Sequence, residues 1–245
     1  MVYALACKQR ARNTLNPKPL KGLKKSSMRK ILLILLTAFF FRPVCSLAQP
    51  FADEIQKFRN DDKVSPPVAG SILFVGSSSF RKWTDVQQYF PGYPIINRGF
   101  GGSTFPDLIY YAGNIIIPYH PKQVVIYCGD NDLASSDAIT ADSVLQRFTV
   151  LFGIIRRALP GEPILFVSIK PSPSRAQLKE KMEQANLLIK TYLSVQTNTA
   201  FADVYHAMLN PDGSMMKEIY EEDQLHMNAK GYAIWKKVIT PYLLK

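Results

Sequence analysis

Ser71-Ile72-Leu73-Phe74-Val75-Gly76-Ser77-Ser78-Ser79 is the stretch whose reading decides the fold. Its apolar run is nearly continuous and then stops at a glycine and three serines, as expected of a strand buried on both faces. Gln123-Val124-Val125-Ile126-Tyr127-Cys128 repeats the pattern ahead of Gly129-Asp130-Asn131-Asp132, and Pro163–Ile169 repeats it again. Pro94–Asn97 and Ala200–Val204 complete a set of five strands. Helical periods lie between them. Val144, Phe148, Leu151, Phe152 and Ile155 recur at three and four, as do Leu178, Met182, Ala185, Ile189 and Leu193. A last helix is expected from about Ala229, capped by Asn228 and burying Trp235, Val238, Ile239 and Tyr242. Strands alternating with helices imply an α/β fold, a parallel sheet covered by helices on both faces. In such sheets chemistry gathers beyond the carboxyl ends of the strands.

The 245 residues suffice for one ordinary domain with a sizeable core. The formal charge of +11 is a matter of location. Residues 1–48 carry ten Lys or Arg and no acid, whereas the remaining 197 residues carry 20 basic and 19 acidic side chains. The basic excess belongs to the leader, so no polyanionic partner and no nucleic acid is implied. Met28-Arg29-Lys30 is a positive start, Ile31 to Phe41 an apolar run, and Ser46-Leu47-Ala48 a small-residue cleavage site before Gln49. The 11-residue run is shorter than the roughly 20 residues needed to span a bilayer. A signal peptide at about 28–48 predicts a secreted or periplasmic protein without stable membrane insertion after leader removal. The alternative is a retained membrane anchor, which Arg42, awkward so close to a cleavage site, keeps open. Residues 1–27 precede that signal peptide, as a start codon assigned too early would leave them. The expected organisation is an upstream extension and leader, 1–48, and one domain, 49–245. Cys7 and Cys45 leave with the leader. Cys128 then has no disulfide partner, a cysteine-based zinc site is excluded, and a buried, inert thiol is its expected state.

Four loops after strands or before the last helix carry polar residues suited to chemistry: Gly76-Ser77-Ser78-Ser79, Asn97–Ser103, Gly129-Asp130-Asn131-Asp132 and Asp223-Gln224-Leu225-His226. A Ser, a His and a carboxylate are the parts that activate a hydroxyl: the imidazole takes the Ser proton and the carboxylate fixes its tautomer. Three-residue spacing makes an Asp223–His226 contact locally plausible. The Ser78 N–H, the Gly102 N–H and the Asn131 amide could donate to a developing oxyanion. Each signal also has a plainer reading. The serines could form a turn or a phosphate cradle, Gly99-Phe100-Gly101-Gly102 a loose match to nucleotide loops, Asn131 a turn residue, and His226 a surface histidine.

Their joint order resembles that of the SGNH, or GDSL-like, hydrolases. In that family a Ser follows the first strand, a Gly the second and an Asn the third, with Asp-x-x-His near the C-terminus. The chain is similar over roughly Ser71 to Leu243, and His226-x-Asn228-x-x-Gly231-Tyr232-x-x-Trp235 resembles the family's last block. The resemblance implies a flavodoxin-like three-layer α/β/α sandwich with a five-stranded parallel sheet, and neither cofactor nor metal. It implies Ser78 as nucleophile, His226 as base, Asp223 as its partner, and Ser78, Gly102 and Asn131 as the oxyanion hole. One position departs from it. The first block usually reads Gly-Asp-Ser, and Ser77 replaces the Asp here, leaving three candidate hydroxyls; Ser78 stands two after Gly76. An α/β-hydrolase elbow is disfavoured because Gly76-Ser77-Ser78-Ser79-Phe80 lacks the second glycine.

The substrate is less legible. Short loops and the absence of a long apolar lid suggest an open site. Lys170 and Arg175, in the segment after the fourth strand, are expected at its border, able to bind sugar hydroxyls or an acid. Deacetylation of carbohydrates or cleavage of short-chain esters fits best, with lysophospholipase or acylhydrolase activity as the alternative. A catalytically degenerate glycan-binding module and a flavodoxin-like nucleotide binder are the rivals from other classes. The intact Ser, His and Asp argue against the first, and the missing phosphate-loop lysine argues against the second.

Overall fold

The structure, a computed structural model, describes residues 49–245. The expected leader, with Cys7 and Cys45, lies outside the described residues. Among the described residues no helix is long and apolar enough to cross a membrane.

Five strands form one sheet: β1 (Ile72–Gly76), β2 (Ile95–Gly99), β3 (Gln123–Tyr127), β4 (Ile164–Val167) and β5 (Thr199–Ala202). Their order is β2-β1-β3-β4-β5 and every pairing is parallel. The order explains the sequence. β1, β3 and β4 are interior strands and bury every residue, whereas β2 and β5 lie at the edges and bury only part of theirs. Unbroken apolar runs therefore mark only the inner three.

Because side chains alternate along a strand, each inner strand feeds two cores. Leu73, Val75, Val124, Ile126 and Phe166 pack on one side with helices α4 (Phe105–Ile115), α6 (Ala141–Ala158) and α7 (Lys179–Ser194). Phe74, Val125, Tyr127, Leu165 and Val167 pack on the other with α9 (Ala229–Ile239). This gives the three-layer sandwich expected from the alternation. The remaining helices are α1 (Ala52–Val64) and the short α2 (Ser78–Arg81), α3 (Val86–Tyr89), α5 (Asp130–Ala134) and α8 (Val204–Ala207).

Local signals set the helix ends. Thr104 and Asp107 make a capping box at the start of α4, and Thr140 and Ser143 do the same for α6. Asn228 caps α9, its side-chain oxygen accepting from the Lys230 and Gly231 N–H groups. Val204, expected at the end of the fifth strand, opens α8 instead, and other details also differ from expectation. α1 has no counterpart in the sequence reading, because its only buried residue is Ile55 and its period is weak. Tyr242 is exposed rather than buried, because Pro241 ends α9 and carries the chain into a separate 3-10 turn.

Candidate active site

The loops after β1, β2 and β3 meet at the carboxyl edge of the sheet, and Gly76 sets their geometry. It adopts φ +151°, and a Cβ there would stand 1.9 Å from the Tyr127 carbonyl oxygen, so no other residue fits. The Ser77 N–H donates to that same oxygen at 3.0 Å. The Gly76 carbonyl accepts from the Phe100 N–H at 3.0 Å and from the Ser103 hydroxyl at 3.2 Å. The β1 turn is thereby tied to the β2 loop.

Past Gly76 the three serines part company. Ser77 and Ser79 are buried, whereas Ser78 is half-buried and opens α2. As a first-turn residue it has a backbone N–H with no intrahelical acceptor. Phe80, just beyond it, is sealed against Phe74, Tyr127 and Trp235. The Tyr232 hydroxyl, from α9, donates to the Ser79 carbonyl at 2.8 Å, and Tyr232 stacks on Trp83 at 4.7 Å. The serine turn is thus fixed to the helix that follows His226.

His226 Nε2 lies 3.0 Å from Ser78 Oγ, and its Nδ1 lies 2.5 Å from Asp223 Oδ2. Asp223 Oδ1 accepts from the N–H groups of Leu225 at 2.9 Å and His226 at 2.8 Å. An Asx turn, aided by Gln224 at φ 51° and the Tyr220–Met227 bridge, therefore sets the three-residue spacing. Burial pushes the Asp223 carboxyl up, but the hydrogen bonds from the His226 ring, the His226 N–H and the Leu225 N–H outweigh it. The group is held well below the usual carboxylate range. An ionised carboxylate only accepts, so Nδ1 carries the proton and Nε2 is left to accept from the serine. A hydroxyl so placed can lose its proton to the ring.

Asn131 is half-buried in α5. Its Nδ2 donates to the Ser103 carbonyl at 3.1 Å, and its Oδ1 accepts from Arg175 Nη2 at 2.9 Å. Gly102, on the neighbouring loop, is exposed. A Cβ at Gly102 would stand 3.7 Å from Asn131 Nδ2. The β2 loop is braced from two sides. The Phe105 N–H donates to buried Asp132, which also pairs with Arg147 at 2.7 Å. On the other side the Gly101 N–H donates to Glu54 of α1 at 3.2 Å, and Glu54 pairs with Arg81 at 2.7 Å.

All five expected site residues (Ser78, Gly102, Asn131, Asp223 and His226) lie in these adjoining loops. Lys170 and Arg175 do not take the expected rim positions. Lys170 is fully buried, with Nζ 3.7 Å from Asp130 Oδ2 and 5.9 Å from the centre of the Tyr220 ring, so it cannot reach a substrate. Arg175 is mostly buried and turned to Asn131 and Asp130. Cys128 is buried, and burial above all, with Asp132 and Asp130 nearby, pushes its thiol pKa well up.

Sequence reading missed Asp130, Asp132 and Glu54, whose partners are distant in sequence. It also passed over a second Asp-x-x-His, Asp203-Val-Tyr-His206. That pair repeats the local geometry, with Nδ1 2.8 Å from Asp203 Oδ2 and the His206 N–H on Asp203 Oδ1. The His206 side chain is 75 % exposed. The motif alone therefore makes a turn; what distinguishes His226 is the hydroxyl opposite its second nitrogen.

An all-parallel five-stranded sheet with a Ser, a His and an Asp gathered beyond its carboxyl edge has the form of a flavodoxin-like α/β hydrolytic enzyme without a nucleophile elbow. The chain belongs to the GDSL-like lipase/acylhydrolase family, whose profile matches residues 69–234, and so to a family of ester-cleaving enzymes. It is 22 % identical over 195 residues to the rat platelet-activating factor acetylhydrolase IB subunit alpha1, covering 77 % of this chain and 80 % of the relative. The human counterpart matches with the same identity and coverage. A GDSL-like lipase from Bacteroides thetaiotaomicron superposes with a TM-score of 0.66 at 20 % identity, over 77 % of this chain and 96 % of that one. An acetylxylan esterase from Geobacillus stearothermophilus superposes with a TM-score of 0.58 at 16 % identity, over 71 % and 94 %.

Proposed function

We propose that the chain is a serine esterase in which Ser78 attacks the ester carbonyl, His226 is the base and Asp223 orients it. The observation that carries this reading is the continuous line from Asp223 Oδ2 through the His226 ring to Ser78 Oγ. As Oγ bonds to the carbonyl carbon, its proton passes to Nε2 and negative charge collects on the carbonyl oxygen. The Ser78 N–H, the Gly102 N–H and the free hydrogen of the Asn131 amide donate to that oxygen. The tetrahedral species then expels the alcohol, which takes the proton from Nε2. Water, activated by the same nitrogen, releases the acid and restores Ser78.

Small acyl groups on a polar alcohol, acetylated carbohydrates above all, are the proposed substrates. A groove of about 640 Å³ is lined by Asp223 with Lys82, Asp85, Glu221 and Glu222 among others, though not by Ser78 or His226; it adjoins the triad, and its charged wall favours a hydrophilic alcohol over a long acyl chain. The names of the relatives, an acetylhydrolase and an acetylxylan esterase, share the acetyl group. Turnover of 4-nitrophenyl acetate by residues 49–245, lost in Ser78→Ala, tests the reaction. Mass-spectrometric detection of acetate released from acetylated oligosaccharides tests the substrate class. Lack of turnover in the folded, unmodified domain would leave the degenerate glycan-binding reading.

The pattern of residues 28–48 supports export with cleavage before Gln49. Intact-mass analysis of exported protein should begin at or near Gln49; protein retaining Ile31 to Phe41 would overturn this.

A further inference from the structure

An oxyanion hole built on a side-chain amide has a weakness that one built on backbone N–H groups lacks. A half-turn about the last bond of Asn131 exchanges its donor for its acceptor and would aim a carbonyl oxygen at the developing charge. Asn131 therefore needs something to hold its orientation.

Two partners oppose the turn. Arg175 Nη2 donates to Asn131 Oδ1 at 2.9 Å, and the Ser103 carbonyl accepts from Nδ2 at 3.1 Å. Reversal would set donor against donor at Arg175 and acceptor against acceptor at Ser103. The guanidinium is itself held. Its Nη1 lies 3.3 Å from Asp130 Oδ2, Asp130 is 3 % exposed, and Asp130 Oδ1 accepts the Asn131 N–H at 3.0 Å. Asp130 thus anchors both the arginine and the residue the arginine orients. The arginine's own segment is tied to the other half of the site, since the Ser174 N–H donates to the Gln224 carbonyl at 3.1 Å, inside the Asp223–His226 turn.

We infer that Arg175 is a positioning residue that acts through Asn131, locking its amide with Nδ2 toward the oxyanion, and does not bind substrate. The inference rests on the esterase reading. Lysine is a poor replacement, because one nitrogen of a rigid plane donates to Asn131 Oδ1 while another stands in an ion pair 3.3 Å from Asp130 Oδ2, and a single ammonium cannot hold both places.

The test is a double-mutant cycle of Arg175→Ala and Asn131→Ala on 4-nitrophenyl acetate, with kcat normalised to titrated Ser78. Arg175→Ala should lower kcat by about 10- to 100-fold while KM moves less than about threefold, a loss confined to the transition state. In the Asn131→Ala background the same change should cost less than about threefold, because nothing remains to be oriented. Arg175→Lys should recover little of the loss, although it keeps the charge, and it replaces Arg175→Ala in the cycle should the alanine variant fail to fold. Additive losses would overturn the role, as would a raised KM at unchanged kcat, the mark of direct substrate contact. Full kcat in Asn131→Ala would refute the oxyanion reading itself. A large loss there with an additive Arg175 effect would refute only the positioning role.

Discussion

His226 Nε2 stands 3.0 Å from Ser78 Oγ across 148 residues of chain, and the serines on either side of Ser78 are sealed from solvent. Exposure thus chooses among three hydroxyls that sequence alone leaves equivalent. Ser78→Ala should lower turnover by about 10⁴-fold or more with the fold intact. An organophosphonate should label Ser78, and labelling at Ser77 or Ser79, read by peptide mass spectrometry, would move the nucleophile.

Asp223 differs from its acidic neighbours Glu221 and Glu222 in having both carboxylate oxygens engaged by the His226 turn. Asp223→Asn should cripple activity at neutral pH by allowing the wrong tautomer of the ring, whereas Glu221→Gln and Glu222→Gln should be mild. Held below the usual carboxylate range, Asp223 stays ionised in mild acid, so any acid limb of the pH–rate profile belongs to another group. Steady-state rates of the three variants across pH decide it, and the reverse ranking would reassign the carboxylate.

For Asn131 the informative contrast is between kcat and stability. Asn131→Ala should reduce kcat by about 10²–10³-fold with a much smaller change in KM. Asn131→Asp should be at least as damaging, since it sets a negative charge against the oxyanion. Were Asn131 only a turn residue, both variants would melt earlier and keep near-normal kcat per titrated site. Kinetics beside a melting curve separate the two.

The sheet was legible because burial on both faces leaves a plain mark: β1, β3 and β4 show as unbroken apolar runs. At the edge that mark fades. The sequence stops β2 at Asn97, yet the strand continues through Arg98 and Gly99, where Arg98 is satisfied by Asp62 and Tyr119. The geometry of the candidate site was legible where a loop follows a strand, as with Ser78, or where partners are near in sequence, as with Asp223 and His226. It was not legible where depth decides. Lys170 and Arg175 read as rim residues able to bind substrate, but the Tyr220 ring and Asp130 enclose the lysine and Arg175 meets Asn131 across 44 residues. Nothing in local composition records either contact.

Lys170 provides the last prediction, in stability rather than rate. Burial pulls its pKa from 10.5 down to about 8; Asp130 opposes that shift, Arg175 adds to it and Asp223 opposes it. Above its folded pKa the native chain has shed this proton while the unfolded chain still holds it. The lysine's contribution to stability therefore rises with pH between about 8 and 10.5. Below pH 8 both states are charged and the whole cost of burying the ammonium is present, on the order of 3 kcal/mol. Lys170→Met removes the charge but fills much the same space, and Arg175 stays 3.3 Å from Asp130 to keep that carboxylate paired, so the substitution removes a buried ammonium without stranding its partner. The methionine variant should accordingly be at least as stable as the parent at pH 7. Its advantage should shrink as pH approaches 10. Comparing the two proteins at each pH cancels the tyrosines that titrate in the same range. Urea unfolding at pH 7 and pH 10 supplies the four numbers required. An advantage that grows with pH would mean that Lys170 stabilises the native state as a cation, contrary to its burial.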